Sequence, residues 1–300
     1  MKKILRDNAI EAWASAVHYC EEIYNGKITL KYRKSFVASL HNAAELFLKQ
    51  RMIDKGKINV CDRVEENVEL YSKLKPYENK DLNCFFASLD KADAKKIRSA
   101  KFSEIRKKRV LTDIFGEYFE KNESEINHVS TSLQLLEALR NDETHFSIDQ
   151  WQFLTEREYE KLYNFMVIFI KILKRYKLLP WCFGKASREN QRLDFSKQPI
   201  SKFSYKSALR SAPLFLDIKN HCEQADTLTV SDNSAYGVAR DIFTDYRSAH
   251  PTVLFDDVWA YAETAIHYGI IMLKEVSEVY DSPDCGECYN CYYEIHFNNL

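Results

Sequence analysis

The sequence predicts a mainly α-helical protein, and three observations carry that prediction. Glycine is scarce, with 7 residues in 300, whereas soluble proteins average about 7%. The sequence contains neither a GxGxxG nor a GxxxxGK[ST] motif, so we do not expect a dinucleotide oxidoreductase or a Walker-type NTPase. Apolar residues recur at helical spacing through the first 180 residues, where cap and stop signals separate successive helices.

The first two predicted helices each end at a glycine. Asp7 is a favourable N-cap for a helix over residues 7–24, which stops at Gly26. The second helix, over about 31–55, stops at Gly56. Its apolar residues follow the i, i+3, i+4 rule and predict one buried face, made of Phe36, Leu40, Ala43, Ala44, Phe47, Leu48 and Met52.

Four further helices are expected, over about 62–75, 90–120, 124–140 and 156–179. The first of these stops before Pro76, because a proline ring clashes with a continuing helix. The second is strongly basic, with an interruption near Gly116. The last opens on a capping box from Thr155 to Glu158 and ends before Pro180.

The chain is expected to have three regions. Residues 1–180 form a helical bundle with a basic insertion at about 56–122, residues 181–204 form a basic linker, and residues 205–300 form an acidic C-terminal region with a Cys-rich tail. Within the last region we expect helices over 235–247 and 255–280, and strands over 227–230 and 292–297.

Charge is distributed unevenly along the chain, although the net charge is only -1. Residues 91–109 carry +7, residues 171–210 carry +9, and residues 211–300 carry -11. A run of like charges is often a solvated helix face, but two basic stretches also fit a polyanion such as RNA.

The N-terminus and the longest apolar stretch predict the compartment. No apolar segment of a signal peptide follows Met1, and the stretch 162–173 is shorter than the ~20 residues of a membrane span. We therefore expect a cytoplasmic protein without membrane association. Its eight cysteines are then expected to be thiols or metal ligands and not disulfides.

Arg140 and His145, near the end of the fifth helix, are the candidate catalytic pair. Histidine titrates near neutral pH and can take the proton of an attacking 2′-hydroxyl, while a guanidinium binds the phosphate through two hydrogen bonds. An ideal helix would place the two residues about 140° apart, so the polar segment 141–144 must loosen the helix for them to converge. Arg and His at such a spacing occur about once by chance in this composition, and a surface arginine with a capping histidine is the alternative.

The motif Arg140-Asn141-Asp142-Glu143-Thr144-His145, after a leucine-spaced helix, resembles the R-x(4–6)-H motif of the HEPN family. The segment 39–49 also resembles the helix that opens many HEPN bundles, and the resemblance covers about residues 5–180. It implies a dimeric helical bundle with metal-independent endoribonuclease activity, used in toxin–antitoxin or antiviral defence systems. His145 would be the general base or acid, Arg140 the phosphate clamp and Asn141 an orienting partner, with no cofactor required. Some of these toxins carry a tyrosine, modified by a partner enzyme, where this chain has Ser147.

In this interpretation RNA is the substrate, the protein is a homodimer, and an antitoxin or regulatory protein is a further partner. Basic residues of the insertion are the candidate contacts to the RNA backbone, since phosphate contacts position RNA without reading its sequence. These residues are Lys95, Lys96, Arg98, Arg106, Lys107, Lys108 and Arg109.

The cysteine tail is a candidate zinc site of structural type. Cys285, Cys288 and Cys291 have C-x-x-C spacing, and with His296 they supply the four ligands that zinc prefers. His221 or Cys222 could replace one of them. Free thiols, or a redox or iron–sulfur role, are the alternatives. Two further functions therefore stay open, which are a catalytically inactive HEPN scaffold that binds protein or nucleotide, and a zinc-stabilised interaction protein.

Overall fold

The computed structural model describes residues 2–142, 151–179, 193–224, 229–282 and 286–298. The chain divides into two compact units, residues 1–20 with 34–202 and residues 21–33 with 203–300. The second unit thus includes the segment 21–33, which the sequence places in the N-terminal bundle. No helix among the described residues is both long enough and apolar enough to cross a membrane.

The first unit is mainly helical, as predicted. Its elements are α1 (Lys2–Tyr24), α2 (Leu30–Asp54), β1 (Cys61–Asp62), α3 (Val68–Leu74), α4 (Asn83–Ser88), α5 (Lys91–Lys96), β2 (Arg98–Ser99), α6 (Phe102–Ile105), α7 (Lys108–Phe119), α8 (Glu123–Asp142) and α9 (Glu156–Arg175). The end of α1 and the start of α2 lie in the segment 21–33, which is assigned to the second unit. Gly26 and Gly56 follow α1 and α2 with φ of 95° and 66°, as expected of helix-ending glycines. The predicted capping box opens α9.

The predicted basic helix over 90–120 is wrong, because three helices and a short strand occupy this segment. The chain leaves α5 after Lys96, and β2 pairs antiparallel with β1, with Cys61 opposite Ser99. The Ala100 N–H then donates to the Val60 carbonyl, 2.8 Å away. These pairings satisfy backbone groups and bury Ala100, so tertiary contacts override the helix-forming composition of the segment. α7 is kinked at Phe115, beside Gly116.

Aromatic side chains from α1, α2 and α9 form the centre of the first unit. Phe169 is fully buried, and its ring lies 5.0 Å from Phe165, 6.1 Å from Trp13 and 6.4 Å from Phe47, measured between centroids. The predicted buried face of α2 is confirmed, since all seven of its residues have no exposed area.

Residues 193–202, in the described part of the predicted linker, pack within the first unit. Phe195 is fully buried. The Leu193 carbonyl accepts a hydrogen bond from the Trp13 indole, and the Asn164 side chain bonds both backbone groups of Ile200. This stretch is therefore packed on the first unit through Leu193 and Phe195, while most of its other residues are exposed.

The second unit packs helices against a three-stranded sheet of order β3-β5-β4. Its elements are α10 (Tyr205–Arg210), α11 (Pro213–Gln224), β3 (Thr229–Val230), α12 (Ala235–Ala249), α13 (Phe255–His267), β4 (Ile271–Ser282) and β5 (Gly286–Phe297). Phe215, Ile242 and Val258 are part of its buried core.

The predicted helix over 255–280 is correct only in its first half. Gly269 takes a φ of 62° directly after α13, which ends the helix and lets the chain turn. The following residues pair with β5 in a continuous antiparallel register, from Ile271 opposite Phe297 to Ser282 opposite Gly286. Pairing across the ribbon thus decides the conformation of residues 271–282.

Candidate active site

Arg140 lies in the last turn of α8, where the sequence predicts the phosphate clamp. The preceding residue, Leu139, is buried with Leu133 and Leu136 on the inward face of the helix. This face packs against α7 and α9. Arg140 and Asn141 are exposed, so the guanidinium is held by a helix that is anchored by its apolar face.

His145, the predicted general base, lies outside the described residues, as does Ser147. Its convergence with Arg140 therefore stays a prediction. Among the described residues, His41 of α2 is a histidine whose pKa is lowered mainly by burial and also by the charge of Arg140.

His41 is a buried histidine with 9% of its area exposed, and its ring packs on Phe102 with centroids 4.3 Å apart. Burial lowers the pKa of its imidazole. The positive charge of Arg140 lowers this pKa as well, while the carboxylates of Glu45 and Glu137 oppose the shift. His41 is thus kept neutral in a site that combines both signs of charge.

Two neighbouring carboxylates have cationic partners. Glu137, one turn before Arg140, accepts a hydrogen bond of 2.5 Å from the Arg106 guanidinium, and both side chains are about one-fifth exposed. This pair joins α8 to the residue that follows α6. Glu45 is bound to Lys49 in the same way, with 2.5 Å between Oε1 and Nζ.

His41, Glu45 and Lys49 form a polar ladder along one face of α2, which we call the α2 ladder. Residues four apart lie on the same side of a helix. Glu45 Oε2 is 3.9 Å from His41 Nδ1, too far for a hydrogen bond, and Nδ1 is buried with no hydrogen-bond partner in the described part of the chain. At the other end, Lys49 donates to Ser99 Oγ, 2.9 Å away. The i, i+4, i+8 spacing is the sequence signal that predicts this ladder on α2.

We expect the buried His41 to make the folded state sensitive to acid. Its pKa lies below the ordinary value of 6.5 in the folded protein. Just below pH 6.5, His41 therefore binds a proton more readily in the unfolded chain than in the folded protein. The free energy of unfolding should therefore fall as pH drops below about 6.5, and this contribution should stop changing below the folded pKa.

Denaturant unfolding of the full chain at several pH values between 5 and 8 tests this expectation. His41→Gln should flatten the dependence between pH 6.5 and 5, where one fully differential proton contributes a slope of at most about 1.4 kcal/mol per pH unit. His128→Gln should act in the same direction, because burial also lowers the pKa of His128. An unchanged slope in His41→Gln would contradict the prediction.

The seven predicted RNA-binding cations divide into two groups. Lys96 pairs with Asp93, Lys107 with Glu104, and Arg106 with Glu137. The others are exposed and have no ion pair within the described ranges, and they are Lys95, Arg98, Lys108 and Arg109. Because residues 90–120 do not form one basic helix, these seven cations do not lie along a single helix face.

The predicted zinc ligands are not brought together among the described residues. Cys285 lies outside them, and Cys288, Cys291 and His296 fall on β5. Cys291 and His296 are five residues apart on a strand without a bulge, so they point to opposite faces and lie about 17 Å apart along it. Zinc ligands lie about 2.0 to 2.3 Å from a common ion. A single site can include at most one of the two.

The contacts of Cys291, His296 and the two substitute ligands agree with that geometry. Cys291 Sγ lies 3.5 Å from Ser277 Oγ, and His296 Nε2 lies 3.4 Å from Glu294 Oε2. His221 Nε2 is 2.8 Å from a carboxylate oxygen of Asp245. Burial raises the pKa of the Cys222 thiol to about 12. In the described part of the chain, no group of three or more His, Cys, Asp or Glu side chains is arranged to hold a metal ion.

The candidate active site therefore consists of Arg140 at the end of α8 and the buried His41, whose pKa the charges of Arg140, Glu45 and Glu137 affect. Comparison of the chain with protein-family models, with curated proteins and with solved structures finds no match.

Proposed function

We propose that this protein is a metal-independent endoribonuclease of the HEPN type. The observation that carries the proposal is an exposed guanidinium, Arg140, which an anchored helix presents five residues before His145 and whose charge acts on a buried, neutral His41. An RNA phosphate needs such a permanent, planar cation, because its oxygens gain charge in the transition state.

In the proposed reaction the 2′-oxygen of a ribose attacks the adjacent phosphorus while the bond to the 5′-oxygen breaks. As the motif implies, His145 acts either as the base that takes the proton of the 2′-hydroxyl, with water protonating the 5′-oxygen, or as the acid that protonates the 5′-oxygen, with water taking the 2′-proton. Arg140 binds the phosphate oxygens, and Asn141 orients the histidine or the phosphate. We assign His41 a positioning role, because its ring packs against Phe102 and thereby holds this part of α2 in place beside the site. The products are a 2′,3′-cyclic phosphate and a 5′-hydroxyl.

In this proposal the RNA backbone runs along the exposed cations Lys95, Arg98, Lys108 and Arg109. They are able to contact phosphates without reading bases, and each contact to single-stranded RNA adds about 0.7 to the slope of log K against log salt. Lys96, Arg106 and Lys107 are engaged by carboxylates, so we assign them a structural contribution.

The biological setting in this proposal is the cytoplasm, where the enzyme is a defence or toxin–antitoxin effector. A homodimer would place two copies of the motif at one cleft, and an antitoxin or regulatory protein would restrain it. Mixing inactive and active chains tests the dimer directly, because a shared cleft makes activity depend on the fraction of dimers with two intact motifs.

The deciding experiment incubates the purified full chain with total RNA in excess EDTA, beside His145→Ala. We expect cleavage by the wild-type chain alone, with 2′,3′-cyclic phosphate ends. RNA binding without cleavage would overturn the enzyme proposal and favour an inactive scaffold. Equal cleavage by both chains would show that His145 is neither the general base nor the general acid.

A further inference from the structure

An apolar pocket of about 220 Å³ lies in the first unit and shares Lys49 with the α2 ladder. Its wall comes from α1, α2, α4, α5 and the β1–β2 pair. Val60 and Phe86 are buried in this wall, while Ala94 and Ser99 are exposed. The pocket therefore has an apolar interior and an edge that solvent reaches.

Lys49 is the charged group in the pocket wall. Its side chain is only 10% exposed, and Nζ donates to Glu45 Oε1 and to Ser99 Oγ. An ammonium has three N–H donors, so one donor is left for an occupant of the pocket. Ser99 accepts from Lys49 and keeps its own O–H for donation. The polar part of the wall thus offers two donors side by side.

We propose that this pocket binds a small apolar monocarboxylate, with the carboxylate at Lys49 and Ser99 and the hydrocarbon part between Ile53, Val60 and Phe86. Ligand pockets commonly combine an apolar lining with a few convergent polar groups. The two donors require an acceptor, and Lys49 disfavours a cationic head group. A cavity of about 150 Å³ accepts benzene, so this pocket takes roughly nine non-hydrogen atoms.

The α2 ladder connects the occupant to the candidate active site. Glu45 binds Lys49 through Oε1, and its Oε2 lies 3.9 Å from His41 Nδ1. A carboxylate that accepts from the remaining donor of Lys49 shares the positive charge of the ammonium, which weakens its attraction for Glu45. Glu45 is then freer to stabilise a protonated His41. Occupancy therefore favours the imidazolium of His41, and this link does not depend on ribonuclease activity.

Octanoate is the probe, and isothermal titration calorimetry on the full chain is the measurement. We expect a dissociation constant of roughly 0.1 to 1 mM, as for other ligands of about ten atoms. Octanol, with the same chain and no charge, should bind at least threefold more weakly, and octylamine should not bind. Equal affinity for octanoate and octylamine, or no octanoate binding, would overturn the proposal.

Two variants separate a built site from adventitious surface binding. Ala94→Phe fills the mouth from an exposed position and should abolish binding of octanoate and octanol. Lys49→Met keeps the apolar stem and should weaken octanoate about tenfold while leaving octanol unchanged. If octanoate bound Ala94→Phe as it binds the wild type, the pocket would not be the site. If Lys49→Met unfolds, Ser99→Ala replaces it, with an expected loss of about threefold.

The coupling to His41 has its own readout. NMR titration of the His41 ring, assigned with His41→Gln, should give a higher pKa with saturating octanoate than without it, and no change in Ala94→Phe. An identical His41 titration in both states would overturn the coupling. Because none of these measurements uses RNA, their outcome is independent of the proposed nuclease activity.

Discussion

Arg140→Ala is expected to lower the rate of RNA cleavage by about 10²- to 10³-fold, the usual loss when one group that stabilises developing charge is removed. The guanidinium is the group we assign to the phosphate, and its positive charge is permanent. The cleavage rate of Arg140→Lys should lie between those of the wild type and Arg140→Ala, since an ammonium keeps the charge but loses the bidentate geometry. Single-turnover cleavage of a labelled RNA in EDTA measures both effects.

The matched control for Arg140 is Arg109→Ala, which removes another exposed guanidinium from α7. We expect it to weaken RNA binding and to reduce the salt slope by about 0.7, with little effect on the rate at saturating RNA. Both substitutions are at exposed positions, so stability should change by at most about 0.5 kcal/mol. A wild-type cleavage rate in Arg140→Ala would contradict the assignment of the phosphate clamp.

Phe169→Ala is expected to destabilise the protein by about 3 to 5 kcal/mol, which is a large part of the ~5 to 15 kcal/mol that stabilises a typical domain. Phe169 is fully buried and contacts aromatic rings from α1, α2 and its own helix, namely Trp13, Phe47 and Phe165. Truncation removes the ring contacts and leaves a cavity that three helices cannot easily collapse. Urea unfolding, followed by circular dichroism, measures the loss.

Val68→Ala is the control for this truncation, because Val68 is 77% exposed on α3. It should change the free energy of unfolding by at most about 0.5 kcal/mol. Phe169→Leu should recover much of the loss, since it restores most of the apolar volume. A loss below about 1 kcal/mol for Phe169→Ala would contradict this description of the core.

The residue pattern was sufficient to predict the local features of the bundle. On α2, the i, i+3, i+4 spacing identified the buried face, and Gly26 and Gly56 marked helix ends because left-handed backbone favours glycine. The capping box at Thr155 and the leucine face of α8 were also predicted from the sequence. These signals are local, since each depends on residues within one or two helical turns.

The candidate site was only partly predictable for the same reason. Arg140 stood out because it follows a leucine-spaced helix and precedes a histidine in the chain. His41 is 99 positions away from Arg140, and no local pattern indicates that their charges interact. Similarly, Arg106 pairs with Glu137, 31 positions away, and no local pattern indicates this ion pair.

The helical class, the buried stripes and the helix ends of this protein follow from side-chain spacing and backbone preference, which can be read from the residues of each segment. Contacts between distant segments set the conformation of residues 98–99, which pair with β1, and of residues 271–282, which form a strand against β5. The burial of His41 against Phe102 is likewise a long-range contact. Backbone pairing and burial join distant segments, and their free energies outweigh local propensities that differ by less than about 1 kcal/mol per residue.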